Sequence, residues 1–342
     1  MKKVTIQDIA KELNIAFSTV ARALNDHPAI SEATKKAVRE TAQRLNYRQN
    51  KLASSLRSGQ SNTIGIIVPS LDVSFFSSVV HGIEKIMNEN DYNILLYQSN
   101  ESFENEKKGI ETFLNSRVAG IIASVAKETT AYEHFSEIKR RRIPLLFFDR
   151  VVEALQVPSV TIDDYKGGFL ATEHLIQQGC QRIVHITARQ SLGIFHERLR
   201  GYVDALQQYG LPIDERLILY GDFSLDFGRQ CVRDLYQRHV AFDAVFALED
   251  FTAMGALQQL LAYNVRVPEQ VGVIGFANES FAALVTPGLS TIDQQTVPMG
   301  EAAAALFIRM LRSEDLYNNL PERIVLDPHL IVRASTLRRT TS

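Results

Sequence analysis

Downstream of residue 60, the chain alternates between short apolar runs and longer amphipathic stretches. The amphipathic stretches, such as 76–88, 167–178 and 251–262, have the length and period of helices packed on a sheet. This alternation is typical of parallel β-sheets covered by helices, and the chain is too long for one modest sheet. We therefore predict two doubly wound parallel-sheet α/β lobes. The predicted strands are 64–68, 93–97, 119–124, 144–148, 159–163, 182–187, 243–248 and 271–275.

The first 48 residues show only helical periodicity, which polar residues interrupt at two points. Thr5 can cap a first helix, Asn14 suits a left-handed turn, and Ser31 can cap a third helix. Between the turn and the third helix, a short second helix directs Val20 and Ala23 inward. Three short helices around one small core, the first two joined by a tight turn, are typical of an all-α helix-turn-helix headpiece.

The outer face of the second helix has side chains that suit a DNA major groove. Arg22 can offer two hydrogen bonds to a guanine edge, worth about 1–3 kcal/mol of discrimination. Ser18 and Thr19 can reach a phosphate or a base edge, Phe17 can touch a thymine methyl group, and Asn25 continues the face. Taken singly, each of these residues fits an ordinary exposed helix face better, so the interpretation depends on the whole pattern.

Charge is distributed unevenly along the chain. Residues 1–60 contain eleven Lys and Arg against five Asp and Glu, a net charge of +6, whereas the remainder carries −8. A basic arm on an acidic body is the electrostatic signature of a protein that binds a polyanion. A solvated helical surface is the alternative. Combined with the helix pattern, the charge favours double-stranded DNA as a partner.

The segment VTIQDIAKELNIAFSTVARALNDHPAISEATKKAVRETAQRLNY resembles the headpiece of the LacI-type (lactose repressor) regulators in order and spacing. The resemblance implies a headpiece over residues 1–48 that docks its second helix in the major groove, with Thr5 among the DNA contacts. Two positions depart from the pattern, because the family usually has Ser where this chain has Ala16 and Ala21. Ala16 gives up a helix cap worth roughly 1 kcal/mol and a hydroxyl for phosphate.

The next segment, 49–60, resembles the hinge helix of the same family. Asn50, Ala53 and Leu56 occupy the matching positions, and the resemblance implies that they contact DNA. In the family, this helix folds when two chains dock side by side, and the leucine wedges into a minor-groove base step. An ordinary linker helix is the alternative interpretation.

The resemblance extends through the body, in DDYKGGFLATEHLI, HERLRGYVDAL, VFALEDFTAMGAL and VIGFANESFAALVTPGLSTIDQ. It implies a periplasmic-binding-protein-like core: a first lobe over 61–161 plus 293–320 and a second over 162–292 plus 321–342. Three crossovers are expected near 159–163, 291–294 and 320–323. The tail RIVLDPHLIVRAST resembles the last strand pair of the family, and no tetramer-forming leucine repeat follows it, so a homodimer is expected.

Polar and aromatic residues at the predicted strand ends are candidates for effector binding, because ligands in such folds lie beyond the carboxyl ends of strands. Carbohydrates need paired hydrogen-bonding groups and an apolar surface for the ring. The family commonly has Asn-Asp at Glu249–Asp250 and Asp-Asp at Ala277–Asn278, so no relative's ligand is carried over. A surface ion pair or helix cap is the alternative for the charged members. The candidates are Ser70, Phe75, Phe76, Asp149, Arg150, Arg198, Phe223, Glu249, Asn278 and Gln294.

Motif searches give little support to other functions. The chain lacks GxGxxG, Walker-type, GxSxG and HExxH motifs, and its eight histidines are scattered, so we predict no catalytic residues, cofactor or metal. Cys180 and Cys231 have no redox or metal spacing. No signal peptide or membrane-spanning run is visible, which predicts a cytoplasmic protein without membrane contact.

The sequence thus predicts a transcription regulator, specifically a repressor, whose hold on a near-palindromic operator is controlled by a sugar or sugar derivative. An enzyme or a cytoplasmic sugar-binding module on the same α/β fold is the alternative.

Overall fold

Residues 4–24, 26–47, 61–188, 192–313, 315–318 and 321–338 are described in the computed structural model, which divides into two units, Met1–Ser61 and Asn62–Ser342. The predicted DNA contacts Asn25, Asn50, Ala53 and Leu56 lie outside the described residues. Within the described ranges, no helix is both long enough and apolar enough to cross a bilayer.

Three helices form the described part of the N-terminal unit, in agreement with the sequence prediction. They are α1 (Ile6–Glu12), α2 (Phe17–Leu24) and α3 (Glu32–Arg44). Their shared core includes Ile9 and Val20, neither of which is exposed to solvent. Because one small apolar cluster holds all three helices, the outer face of α2 keeps a fixed orientation within this unit.

The polar residues that the sequence predicts at helix ends are found there. The backbone N–H and the hydroxyl of Thr5 donate to the Asp8 carboxylate over 2.8 and 2.7 Å. Asn14 adopts the left-handed conformation (φ 52°) in the turn between α1 and α2. Ser31 caps α3, its hydroxyl accepting a hydrogen bond from the Thr34 N–H over 3.2 Å.

The first lobe of the C-terminal unit is built on a six-stranded parallel sheet. Its strands are β1 (Thr63–Val68), β2 (Asn93–Gln98), β3 (Gly120–Ala123), β4 (Leu145–Phe148), β5 (Ser159–Ile162) and β11 (Arg323–Leu326). They lie in the order β11-β5-β4-β3-β1-β2. The helices that cover the sheet are α4 (Ser74–Glu89), α5 (Phe103–Asn115), α6 (Glu133–Arg140) and α11 (Thr296–Leu311).

The second lobe is built on a four-stranded parallel sheet in the order β7-β6-β8-β9. These strands are β6 (Ile183–Ala188), β7 (Ile218–Gly221), β8 (Ala244–Ala247) and β9 (Gly272–Ile274). An antiparallel pair, β10 (Thr291–Asp293) and β12 (His329–Ile331), extends it through isolated bridges beside β9. The helices are α7 (Asp164–Gln177), α8 (Gly193–Gln208), α9 (Leu225–Gln237) and α10 (Asp250–Ala262).

Within the described residues, the chain passes between the lobes three times. The first two passages, after β5 and after β10, fall where the sequence predicts them. The third prediction, at 320–323, is wrong. β11 still belongs to the first sheet, where Arg323 lies opposite Ser159, and Ile324 and Leu326 pack against the first-lobe core. The chain therefore changes lobes between β11 and β12, and residues 321–326 belong to the first lobe.

Two glycines bring α7 and α8 into close contact. A Cβ atom at Gly168 would lie 2.3 Å from the carbonyl oxygen of Arg198, and one at Gly201 would lie 2.2 Å from that of Tyr165. No other residue type could allow this approach, because those distances are far below van der Waals contact. The close packing places Arg198 beside Asp164 at the start of α7.

Candidate functional site

One side of α2 is exposed and has the predicted DNA-contacting side chains. Phe17 is 56% exposed, Ser18 and Arg22 are exposed, and Thr19 is half-buried. The structure thus brings the four predicted residues of α2 together on one surface. The helix begins directly after Ala16, whose side chain has no oxygen to cap it.

Arg22 differs from Arg39 and Arg44, the other two arginines of this unit that the structure describes, in having no carboxylate partner among the described residues. Arg39 pairs with Asp26 over 2.7 Å, and Arg44 pairs with Glu12. An exposed guanidinium without an internal partner keeps its donors for an external acceptor, which suits a guanine edge or a phosphate.

Strand ends of both lobes face each other across a cleft that contains a cavity of about 90 Å³. A wider cavity of about 470 Å³ shares Asp149, Arg150 and Ile194 with it, so the two are parts of one cleft. Eight of the ten predicted effector-binding residues line the smaller cavity. They are Phe75, Phe76, Asp149, Arg150, Arg198, Phe223, Glu249 and Gln294.

Arg198 is held by three acceptors in the second lobe and at the passage between lobes. Its Nε donates to Asp164 over 2.8 Å, Nη1 to the Leu248 carbonyl over 2.7 Å, and Nη2 to Gln294 over 3.4 Å. The guanidinium lies 3.7 Å from the ring centroid of Phe276. Burial raises the pKa of Asp164 to about 6, although the charge of Arg198 opposes this effect. The side chain is therefore fixed in place at the wall of the cleft.

Arg150 forms a two-pronged ion pair with Glu101, a residue that the sequence analysis missed. Its Nη1 and Nη2 lie 2.7 and 3.0 Å from the carboxylate oxygens, and Nη1 also donates to the Val125 carbonyl. Glu101 lies three residues beyond the end of β2, so the strand-end rule applied to every strand would have found it.

Asp149 is a buried carboxylate with spare capacity to accept hydrogen bonds. It follows β4 in the left-handed conformation (φ 58°), and its nearest cation is Arg150 Nε at 3.7 Å. The hydroxyl of Ser124 and the Nε of Arg150 are both buried without a hydrogen-bond partner in the part of the chain that the structure describes. Burial raises the pKa of Asp149. These unmatched polar groups at adjacent strand ends suit a ligand that has hydroxyl groups.

Glu249 caps α10 and also lines the cavity. Its carboxylate accepts the N–H groups of Phe251 and Thr252 over 2.9 and 2.6 Å. Glu249 therefore has both positions that the sequence allowed: it caps a helix, and it lines the cleft. The adjacent Asp250 is fully buried behind the wall, where it accepts hydrogen bonds from the Thr291 hydroxyl and the Glu279 N–H, each over 2.7 Å.

Glu279, a second residue that sequence reasoning missed, joins the two lobes. It lies in the loop after β9, and its carboxylate accepts the N–H groups of Ser74 and Phe75, over 3.2 and 3.3 Å, and the Ser74 hydroxyl. The acid of the second lobe thus caps α4 of the first. The N-cap residue of α4 is Val73, which has no side-chain acceptor. The missing acceptor was the one signal in the sequence that a residue from elsewhere caps this helix.

Ser70 and Asn278, the other two predicted effector contacts, do not line the 90 Å³ cavity. The Ser70 hydroxyl accepts the Asp72 N–H over 3.2 Å and shapes a turn. The Asn278 amide oxygen accepts from Arg333 over 2.8 Å, and its side chain faces another cavity of about 330 Å³, which shares Phe75 and Ala277 with the smaller one. Both residues follow strands, but hydrogen bonds to the Asp72 N–H and to Arg333 hold their side chains outside the lining of the 90 Å³ cavity.

Aromatic side chains form the apolar surface of the cavity. Phe75 and Phe76 pack edge to face at 4.9 Å on the first-lobe side, and Phe195 and Phe223 lie 5.6 Å apart on the other. Rings on both sides of the cleft can contact the faces of a sugar ring, while the carboxylates and guanidinium groups bind its hydroxyls.

We expect stability to depend on pH through Asp250. Burial raises the pKa of this carboxyl to about 7. The folded protein therefore binds an extra proton between about pH 4 and 7, and its free energy of unfolding falls as pH rises through that range, by at most about 1.4 kcal/mol per pH unit.

Asp250→Asn should remove this contribution. The parent should therefore have the higher urea midpoint at pH 5.5, and by pH 8 the two midpoints should be equal or in the opposite order. His185, whose pKa burial lowers to about 3, acts in the opposite sense but equally in both proteins. A variant that loses as much stability as the parent over this range would contradict the assignment.

Among the described residues, no group of three or more His, Cys, Asp or Glu could hold a metal ion, and Cys180 and Cys231 are buried free thiols. A helix-turn-helix unit joined to a two-lobed, cleft-containing α/β unit defines the class of ligand-responsive DNA-binding regulators.

Family models match both units. Residues 5–50 match the model for bacterial regulatory proteins of the lacI family, and residues 61–320 match the model for periplasmic binding proteins and the sugar-binding domain of the LacI family. The chain therefore belongs to the LacI family of bacterial regulatory proteins.

Individual relatives agree. Catabolite control protein A of Priestia megaterium is 31% identical over 325 residues, which span 94% of this chain and 97% of the relative. The complex of the transcriptional regulator CelR with cellobiose superposes with a TM-score of 0.73 at 29% identity, covering 97% of this chain and 100% of the other. The lac repressor dimer bound to operator and an anti-inducer superposes with a TM-score of 0.87 at 23% identity. The match covers 98% of this chain and 100% of the other, and it supports the fold alone. These relatives are regulators and not enzymes, so the chain is a transcription regulator and the enzyme alternative is discarded.

Proposed function

We propose that this regulator is a homodimeric repressor whose hold on operator DNA is set by a sugar or sugar derivative bound between its two lobes. Two copies of α2 enter major grooves about one helical turn apart on a near-palindromic site. The 49–60 segments pair at its centre and insert Leu56 into the minor groove. An operator-bound dimer and a cellobiose complex among the similar structures support this arrangement.

The observation that carries the proposal is the convergence of hydrogen-bonding and aromatic side chains from both lobes on one cleft. Asp149 and Arg150 come from the first lobe, whereas Arg198 and Glu249 come from the second. A ligand that contacts both sets changes the relative stability of lobe arrangements, because its affinity depends on their separation. That change is the physical basis for control of the DNA-binding units.

The coupling acts in both directions. A typical coupling free energy of about 1–3 kcal/mol corresponds to a 5- to 150-fold change in operator affinity on effector binding. By thermodynamic linkage, operator DNA changes effector affinity by the same factor.

Unbiased selection of duplex DNA with the full chain tests the proposal. We expect enrichment of a near-palindromic sequence that shifts in a gel with two chains per duplex. A thermal-shift screen of sugars then supplies ligands for repeat gel shifts, and a reporter placed behind the selected site should lose expression when the protein is present. Selection without enrichment, with and without the sugars, would disprove operator binding. A reporter that gains expression would disprove repression only.

A further inference from the structure

Acidic side chains outnumber basic ones in the wall of the effector cavity. The four carboxylates that line it are Glu101, Asp149, Glu249 and Glu279, against the guanidinium groups of Arg150 and Arg198. Such an imbalance inside a partly closed cleft sets a local field that favours one sign of ligand charge.

Both guanidinium groups already have internal partners. Arg150 is neutralised by the two oxygens of Glu101, at 2.7 and 3.0 Å, and Arg198 by Asp164 at 2.8 Å. An anionic ligand group that took over the paired nitrogens of either arginine would displace its carboxylate. The displaced acid would then remain in the protein without a counter-charge, which is strongly unfavourable for a group as buried as Asp164.

The other three carboxylates have no ion pair at hydrogen-bond distance. Asp149 lies 3.7 Å from Arg150 Nε, while Glu249 and Glu279 are bound by backbone N–H and hydroxyl groups. The N-termini of α10 and α4 supply about half a positive charge each, which leaves the cavity negative overall.

Glu249 and Glu279 also act on each other as like charges. Burial raises the pKa of Glu249, and the neighbouring charge of Glu279 raises it further. The ammonium of Lys127 lies 5.1 Å from the ring centroid of Phe223, so this ring, which also lines the cavity, can bind a cation.

We propose that the cleft selects a hydroxyl-rich ligand that has an ammonium group, that is, an amino sugar, and rejects acidic and phosphorylated sugars. The ammonium pairs with Asp149 and Glu249, and the ring lies between the phenylalanines of the two lobes. This inference rests on the proposed function, because it takes the cleft as the effector site.

The test compares sugars that share a ring and differ in charge. Full-length protein is titrated calorimetrically with D-glucosamine, D-galactosamine and D-mannosamine, with their neutral parent hexoses, and with the 6-phosphates and uronic acids of those hexoses. We expect at least one amino sugar to bind about tenfold more tightly than its parent, and no acid or phosphate to match it. Absence of binding by all three amino sugars, or equal affinity for a parent or an anionic sugar, would overturn the inference. The selection of operator DNA uses none of these ligands, so its outcome reports separately on the proposed function.

Charge-removing variants test the named acids. Asp149→Asn suits the left-handed backbone, and Glu249→Gln keeps an oxygen for the helix cap. Each should lower affinity for the amino sugar at least fivefold more than affinity for its parent. Glu111→Gln, on an exposed side of α5, removes the same charge away from the cleft and should leave both affinities unchanged. Equal losses for both ligands in the cleft variants would contradict the assignment of the ammonium to these acids.

Discussion

Arg198→Ala is expected to lower the free energy of unfolding by about 3–5 kcal/mol and to abolish the effector response. The variant leaves Asp164 buried without its partner and removes the donors that hold the Leu248 carbonyl and Gln294. Urea denaturation measures the first effect, and gel shifts with an effector measure the second. Operator binding should persist under conditions where the variant remains folded.

The pH dependence of this variant distinguishes a lost charge pair from lost packing. Burial already raises the pKa of Asp164 to about 6, and removal of Arg198 raises it further, so the carboxyl is neutral at pH 5.5 and ionised at pH 8 only at a cost in stability. The loss of stability should therefore be larger at pH 8 than at pH 5.5. An equal loss at both pH values would contradict the ion-pair explanation.

A double variant, Asp164→Asn with Arg198→Met, serves as the matched control. It leaves no unpaired buried charge, so it should recover much of the lost stability. It should nevertheless stay without an effector response, because the guanidinium donors at the cleft wall are still missing. A double variant that regains a normal response would remove Arg198 from the effector site.

Arg22→Ala is expected to abolish discrimination between the selected operator and scrambled DNA. A bidentate contact with guanine is worth about 1–3 kcal/mol, which corresponds to about 5- to 150-fold per half-site. The exposed, unpaired guanidinium is the physical reason, since its removal breaks no ion pair within the described headpiece. Competition gel shifts at fixed salt concentration measure the ratio of the two affinities.

Lys36→Ala is the matched control, because Lys36 is an exposed cation on α3 rather than α2. This variant should weaken binding to both duplexes about equally and leave their ratio intact, as expected when a non-specific electrostatic contribution is lost. Arg22→Ala with an unchanged ratio would exclude Arg22 from base recognition.

Local signals in the sequence predicted most of the headpiece. Thr5, Asn14 and Ser31 act within three or four residues of the helix ends that they define, so their effect is visible in any short window. The buried Lys35 was missed, because its burial depends on ion pairs with both Glu32 and Asp26.

The cleft could be predicted in part for a similar reason. Asp149 follows β4, so the strand-end rule could place it at the cleft without knowledge of its partners. Arg198 lies within α8, so only the family resemblance pointed to it. Glu279 could not be placed there, since its acceptor role depends on Ser74, 205 positions earlier in the chain. The edge position of β11 was also hidden, because its pairing with β5 depends on the order in which the sheet assembles.

The helix cap that Glu279 provides to α4 makes a polar clasp between the lobes. Its hydrogen bonds can be exchanged for bonds to water, and each such exchange changes the free energy by about 1.5–3 kcal/mol, because the acceptor is a carboxylate. A polar contact of this kind can open and close reversibly. If the cleft is the effector site, as proposed, the lobes can sample wider and narrower separations, and a bound ligand shifts the balance between them.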